Sequence, residues 1–475
     1  MKPRSSFPIW VLVVGAVLVG LGAYLAAGSR GGAPVPAKAA FVRPEHAHLD
    51  HGPYFTKPFD SPQAVTRACL KCHPKAAEHF MKTPHWTWLG DSTAVPGREG
   101  RFRLGKRNLI NNFCISARGN NSSCMKCHAG YGWADDAFDF SNADNVDCLV
   151  CHERAGTYVK GEFGNPADGA DLLAAAKSVG FPKRENCGVC HNYGGGGQGV
   201  KHGDLDSRLD NPSREDDVHM GQLGFLCIDC HRTKDHRISG RAFSVSVDDA
   251  NGVACTDCHR DPPHRDPRLN AHLAAVACQT CHIGTYARKL PTKTFWDWSK
   301  AGDSTREDDA HRYLKIKGEF LYGKNLVPEY AWFNRSVNRY LLGDRIDSTS
   351  VTAINGPRGA IGDTSAKIWP FKVHRATLPY DRKYATIMPP VTAGPGGYWS
   401  SFDWNRAIAL GAEASGLPYS GRFGWAPTAM YWPLSHSVAP KEAALQCTDC
   451  HGPRSRMDWA ALGYEGDPIQ RGARR

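Results

Sequence analysis

The hydrophobic and polar positions divide the chain unevenly. Phe7 to Gly28 form one uncharged run, preceded by Lys2 and Arg4. The run exceeds the about 7–15 apolar residues of a signal-peptide core and approaches the about 20 that span a bilayer. The charges ahead of it favour a cytoplasmic N-terminus, so an uncleaved anchor is preferred over a signal peptide cut near Ala37-Lys38-Ala39. Residues 31–52, rich in Gly, Pro and Ala, read as a linker. Further on, the pattern predicts turns and short helices, of which Asp171 to Val179 is the clearest. From Ile283 to Gln446 the chain is mixed, aromatic and turn-rich, too polar for a membrane domain, and is expected to wrap something else. The expected segments are 1–30 (anchor or signal peptide), 31–65 (linker and N-terminal arm), 66–282, 283–446 (wrapping segment) and 447–475. The expected fold class is mainly α with extensive irregular structure.

Cysteine spacing says what is wrapped. The pattern Cys-x-x-Cys-His occurs eight times: Cys69, Cys72, His73; Cys124, Cys127, His128; Cys148, Cys151, His152; Cys187, Cys190, His191; Cys227, Cys230, His231; Cys255, Cys258, His259; Cys278, Cys281, His282; and Cys447, Cys450, His451. Seven lie in 66–282 and the eighth opens the tail. The motif marks c-type haem attachment. Thiols at i and i+3 on one helical turn can each bond a haem vinyl group, and the histidine at i+4 lies on the same face, aimed at iron. Zinc ribbons or structural disulfides would not require a histidine after all eight pairs. The chain is therefore expected to pack around eight covalently attached haems c, which its aromatic content (13 Trp, 16 Tyr) suits. Haem attachment places the body outside the cytoplasm, in the periplasm.

The haems change the meaning of the formal charge of +11. A ferric haem with two ionised propionates contributes about −1, so the oxidised holoprotein would carry about +3, not a nucleic-acid-binding surplus. Many Lys and Arg side chains then read as propionate partners. Thirteen histidines lie outside the motifs. Among them His85, His202, His219, His236, His272, His374 and His436, near motifs or in aromatic settings, are the better candidates for second axial ligands.

One cysteine is left over, Cys114 in Asn-Asn-Phe-Cys-Ile-Ser, just ahead of the second motif. The strings NNFCISARGNNSSCMKCHAGYGW, DCLVCHERAGTYVK, GGGGQGVKHGDLD, CQTCHIGTYARKLPTKTFWDWSKAG and PFKVH resemble the octahaem tetrathionate reductase family, from about Thr66 to the last motif. The resemblance implies a catalytic second haem, ligated by a lysine from elsewhere and open on its other face beside a free cysteine. Carried onto this chain, the cysteine is Cys114 and the lysine Lys201, with Lys160 as the alternative, and His128 need not ligate iron. Where the family pattern has an acid three residues before that lysine, this chain has Gln198, which bears on the native substrate. The implied activity is reduction of tetrathionate to thiosulfate, with electrons from a quinol dehydrogenase or a small periplasmic cytochrome. The rivals are a nitrite or hydroxylamine reductase at the same haem and a non-catalytic electron conduit. The four consecutive glycines at 194–197 mark either a loose loop or a backbone that something approaches closely.

Overall fold

A computed structural model describes residues 48–471. The anchor, most of the linker and His46 lie outside the described residues. Residues 48–255 and 262–471 form one compact unit, described below; Thr256–Asp261, with Cys258 and His259, fall outside it.

The expectation of a mainly α fold is wrong. The cysteine-free segment builds a nine-stranded mixed sheet: β1 (Thr292–Asp297), β2 (Tyr313–Leu314), β3 (Gly318–Gly323), β4 (Glu329–Phe333), β5 (Val337–Arg339), β6 (Thr352–Pro357), β7 (Lys367–Asp381), β8 (Thr386–Ile387) and β9 (Phe423–Pro433). The main order is β2-β3-β1-β7-β9-β6-β5, with β4 and β8 also paired to β7. β7 runs parallel to β1 and antiparallel to β9, in register from Phe371–Pro433 to Asp381–Phe423. The strands were hard to see in the sequence for a physical reason. β7 is buried along most of its length, so its polar and apolar residues do not alternate cleanly. Its Pro370 and Pro379 look like breakers yet sit within the ladder.

Helices are short. The longest among the described residues, α1 (Trp404–Ser415), starts at Asp403, whose carboxylate accepts the Arg406 amide, and stops at Gly416 in the left-handed conformation that favours glycine. Leu172–Lys177 is helical, capped by Asp171 accepting the Ala174 amide at 2.9 Å. Motif cysteines lie on single turns such as Leu149–His152, Cys278–His282 and Cys447–Cys450. Among the described residues no helix is long and apolar enough to cross a membrane. The largest core cluster joins sheet residues Trp296, Phe320, Leu378, Met430 and Trp432 to Phe113, Ile115 and Val200. Through those last three, the sheet fixes the two loops that carry Cys114 and Lys201.

Candidate functional site

The Cys114 loop is tied into a tight turn by one side chain. Asn111 Oδ1 accepts the amides of Phe113 (3.0 Å), Cys114 (2.7 Å) and Ile115 (3.0 Å). Ile115, a β-branched residue, sits at φ 70°, a conformation costing about 1–3 kcal/mol. Burial of Phe113 and Ile115 in the sheet's core holds it there. Opposite lies the glycine loop: a Cβ on Gly196 would stand 3.2 Å from Cys114 Sγ, and Gly195 and Gly196 both have positive φ. The glycines are a close-approach device for Cys114. At Gly194 a Cβ would stand 3.3 Å from Lys201 Cδ, so the same loop brackets both side chains.

Cations surround the thiol. Burial pushes the Cys114 thiol up, opposed by the charges of Lys317, Lys106 and Lys293. Lys293 Nζ rests 3.5 Å from the Trp296 ring centre and 3.3 Å from that of Phe320. Burial, with Lys317 adding, lowers it to about 6. Lys201 Nζ lies 5.2 Å from the Trp432 ring centre; burial and the charge of Lys106 lower it to about 8, so its amine is readily freed of its proton. Lys106, an exposed side chain, places its Nζ 4.8 Å from the Trp88 ring centre.

β7 supplies the floor. Lys372 Nζ donates to Thr292 Oγ1 (2.6 Å) and Val200 O (2.8 Å), clamping the Lys201 loop to the sheet. Two residues on, on the same strand face, lies His374. Asn112 Nδ2 donates to His374 O (2.7 Å), so Asn112 Oδ1 faces the ring and accepts from Nδ1 at 3.0 Å. His374 Nε2 is left as a buried acceptor without a partner. Gln198 turns elsewhere: its amide donates to Ser207 Oγ at 2.5 Å. Lys160 is committed to Asp147 (2.6 Å) and Gly130 O (3.0 Å), whereas Lys201 borders Cys127. A cavity of about 370 Å³ adjoins the second motif's turn at Met125, lined among others by Arg107, Arg118, Asn121 and Trp133.

The motif histidines are arranged as haem ligands require. All seventeen cysteines are free. Metal–imidazole bonds of about 2.0–2.1 Å put two rings across one metal roughly 6.3 Å apart, centre to centre. Six motif histidines face a second histidine at that spacing: His51–His73 (6.2 Å), His152–His236 (6.5 Å), His85–His191 (6.2 Å), His231–His436 (6.1 Å), His264–His282 (6.2 Å) and His272–His451 (6.2 Å). The donor set fits eight thiol-attached haems. Of the seven histidines expected from sequence, His85, His236, His272 and His436 occupy such positions. His202 meets Trp432 edge-to-face at 5.0 Å, His219 lies beside Phe225 and Asp217, and His374 is bound to Asn112. His51 and His264 were not singled out, and no local pattern marks them.

The second motif departs from those six. His128 is fully buried, and its Nε2 donates to Trp86 O at 2.8 Å. Trp86, Trp88, Trp133, Phe138 and Phe140 box it in, and its Nδ1 has no partner. Burial lowers it to about 4, so it is neutral.

Three family descriptions match parts of the chain: bacterial cytochrome c over residues 293–454, cytochrome c7 and related cytochrome c over 212–290, and cytochrome c554 and c-prime over 68–153. The crystal structure of octaheme cytochrome c from Shewanella oneidensis matches with a TM-score of 0.84 and 46% identity, over 89% of this chain and 98% of that one. An uncharacterized protein of Archaeoglobus fulgidus is 23% identical over 239 residues, 40% of this chain and 80% of that protein.

Proposed function

The chain belongs to the octahaem c-type cytochromes, with covalently bound haem c, and from that premise we propose that it is a periplasmic reductase of a sulfur oxyanion, most specifically tetrathionate, acting at its second haem. One observation carries the reading. Cys114 lies within the electrostatic reach of Lys317, Lys106 and Lys293, beside the motif whose own histidine donates to Trp86 O. Cys124, Cys127 and the neutral amine of Lys201 would hold the second haem, and the six histidine pairs would hold the haems they flank. When bound there, the second haem would supply a redox-active iron, and the seven further haems would store electrons.

The chain's own groups do the rest. Lys106 and Lys317 hold the dianion by charge. Lys293, largely neutral at pH 7, takes the proton of Cys114. The thiolate attacks one of the two central sulfurs; the central S–S bond breaks and one thiosulfate leaves. Cys114 then carries Cys–S–S–SO₃⁻. Two electrons break the new S–S bond, release the second thiosulfate, and the thiol regains its proton from Lys293. Residues 7–28 anchor the protein, and a quinol dehydrogenase or a small periplasmic cytochrome supplies the electrons.

The test is oxidation of a reduced dye by the holoprotein offered tetrathionate, nitrite or hydroxylamine, with Cys114→Ala alongside. Tetrathionate turnover that collapses in Cys114→Ala is expected. Turnover of nitrogen compounds alone, indifferent to Cys114, would reassign the substrate, and no turnover at all would make the protein a conduit.

A further inference from the structure

Histidines in the six pairs differ in what holds their second nitrogen. His51, His152, His231 and His272 donate Nδ1 to backbone carbonyls, of Leu49 (2.8 Å), Gly180 (2.9 Å), Ser239 (2.8 Å) and Arg268 (2.9 Å). Two others meet a carboxylate. His451 Nδ1 donates to Asp467 Oδ1 at 2.6 Å, and the same carboxylate's Oδ2 accepts the Gly452 amide at 2.7 Å. Trp459 stacks on the His451 ring at 5.7 Å and 17°. His436 Nδ1 lies 3.3 Å from Asp204 Oδ2, an oxygen that also accepts the Ser435 (2.8 Å) and His436 (2.9 Å) amides.

A carboxylate accepting the far N–H of a ligating imidazole draws the proton toward itself and makes the metal-bound nitrogen more basic. A more basic ligand favours ferric over ferrous iron, which lowers the potential of that one-electron couple. A peptide carbonyl does this less, since it carries no net charge. The Asp467 bond is short, and its Oδ1 is shared with one amide, that of Ile469 at 3.0 Å. The Asp204 bond is longer and its oxygen is shared with two amides, so its pull on the ring is weaker.

We propose that Asp467 is a positioning residue that lowers the reduction potential of the eighth haem through His451, and that Asp204 does so to a lesser degree for the fifth haem through His436. The eight haems are thereby made unequal by the protein around their ligands, with the motif sequence unchanged. The inference rests on the pairing of His272 with His451 across the eighth haem proposed above.

The experiment is a potentiometric titration of the holoprotein, followed optically and by EPR, in wild type, Asp467→Asn, Asp467→Glu, Asp204→Asn and His272→Met. In Asp467→Asn one of the eight steps moves to higher potential while the other seven stay, and Asp467→Glu restores it in large part. Asp204→Asn moves a different step by less. The oxidised wild type needs no variant to be informative: one low-spin signal shows the compressed g-spread of an imidazolate-like ligand, and its absence overturns the proposal. Unchanged potentials in Asp467→Asn, with His272→Met still altering one low-spin signal, overturn this inference alone. If His272→Met alters no signal, the pairing itself is wrong.

Discussion

Lys160→Met tests the buried ion pair that ties the second and third haem motifs. Lys160 Nζ lies 2.6 Å from Asp147 Oδ2, with side chains 4% and 0% exposed. It also donates to Gly130 O, two residues past His128, while Asp147 immediately precedes Cys148. Removing the lysine strands a carboxylate out of reach of water, for which one-sided removal costs about 3–5 kcal/mol. Three donors remain to Asp147: Tyr131 OH (3.1 Å), Tyr158 OH (3.0 Å) and the Val150 amide (3.1 Å). They place the loss at the lower end, about 3 kcal/mol. The assay is urea unfolding of the holoprotein followed by far-UV circular dichroism. Asp147→Asn and the double variant complete a cycle. Because the uncompensated charge is gone in the double variant, its loss falls short of the sum of the singles by at least about 1 kcal/mol. A Lys160→Met protein within about 1 kcal/mol of wild type, or strictly additive singles, would refute the account.

Other expectations follow from the same geometry. Trp432→Ala removes a fully buried indole under Lys201 and His202. It should cost about 3–5 kcal/mol in urea unfolding and raise KM for the anionic substrate. Lys293, at about 6, lies below its ordinary 10.5, so between those values the unfolded chain binds more protons and wild-type stability rises with pH. Lys293→Met lacks this term: its advantage over wild type is greatest near pH 6 and shrinks toward pH 10, by at most about 1.4 kcal/mol per unit. A pH-independent difference in unfolding midpoints would contradict the depressed amine. His128→Gln retains a donor for Trp86 O and should leave the second haem's ligand-field spectrum in place, whereas Lys201→Met changes it. The reverse pattern in EPR would return the iron to His128.

Sequence alone determined what the protein carries, because covalent chemistry is local. Two thiols and an imidazole within five residues bind a haem wherever the chain goes, and eight such strings name eight attachment sites. Sequence also isolated Cys114, the one cysteine without a motif, and the glycines at 194–197 that let a backbone come close. The fold class was not legible, since β7 is buried along most of its length and joined to its neighbours through registers set by residues over fifty positions away, such as His374 opposite Met430. Nor was the pairing of histidines: His85 meets His191, and His51 rather than His202 meets a motif ring, because a second ligand is selected by position in space and leaves no spacing in the chain. Tertiary structure also gave His128 a partner in Trp86 O and Lys160 one in Asp147. Buried polar groups go where their partners are, and those partners are brought together only by folding.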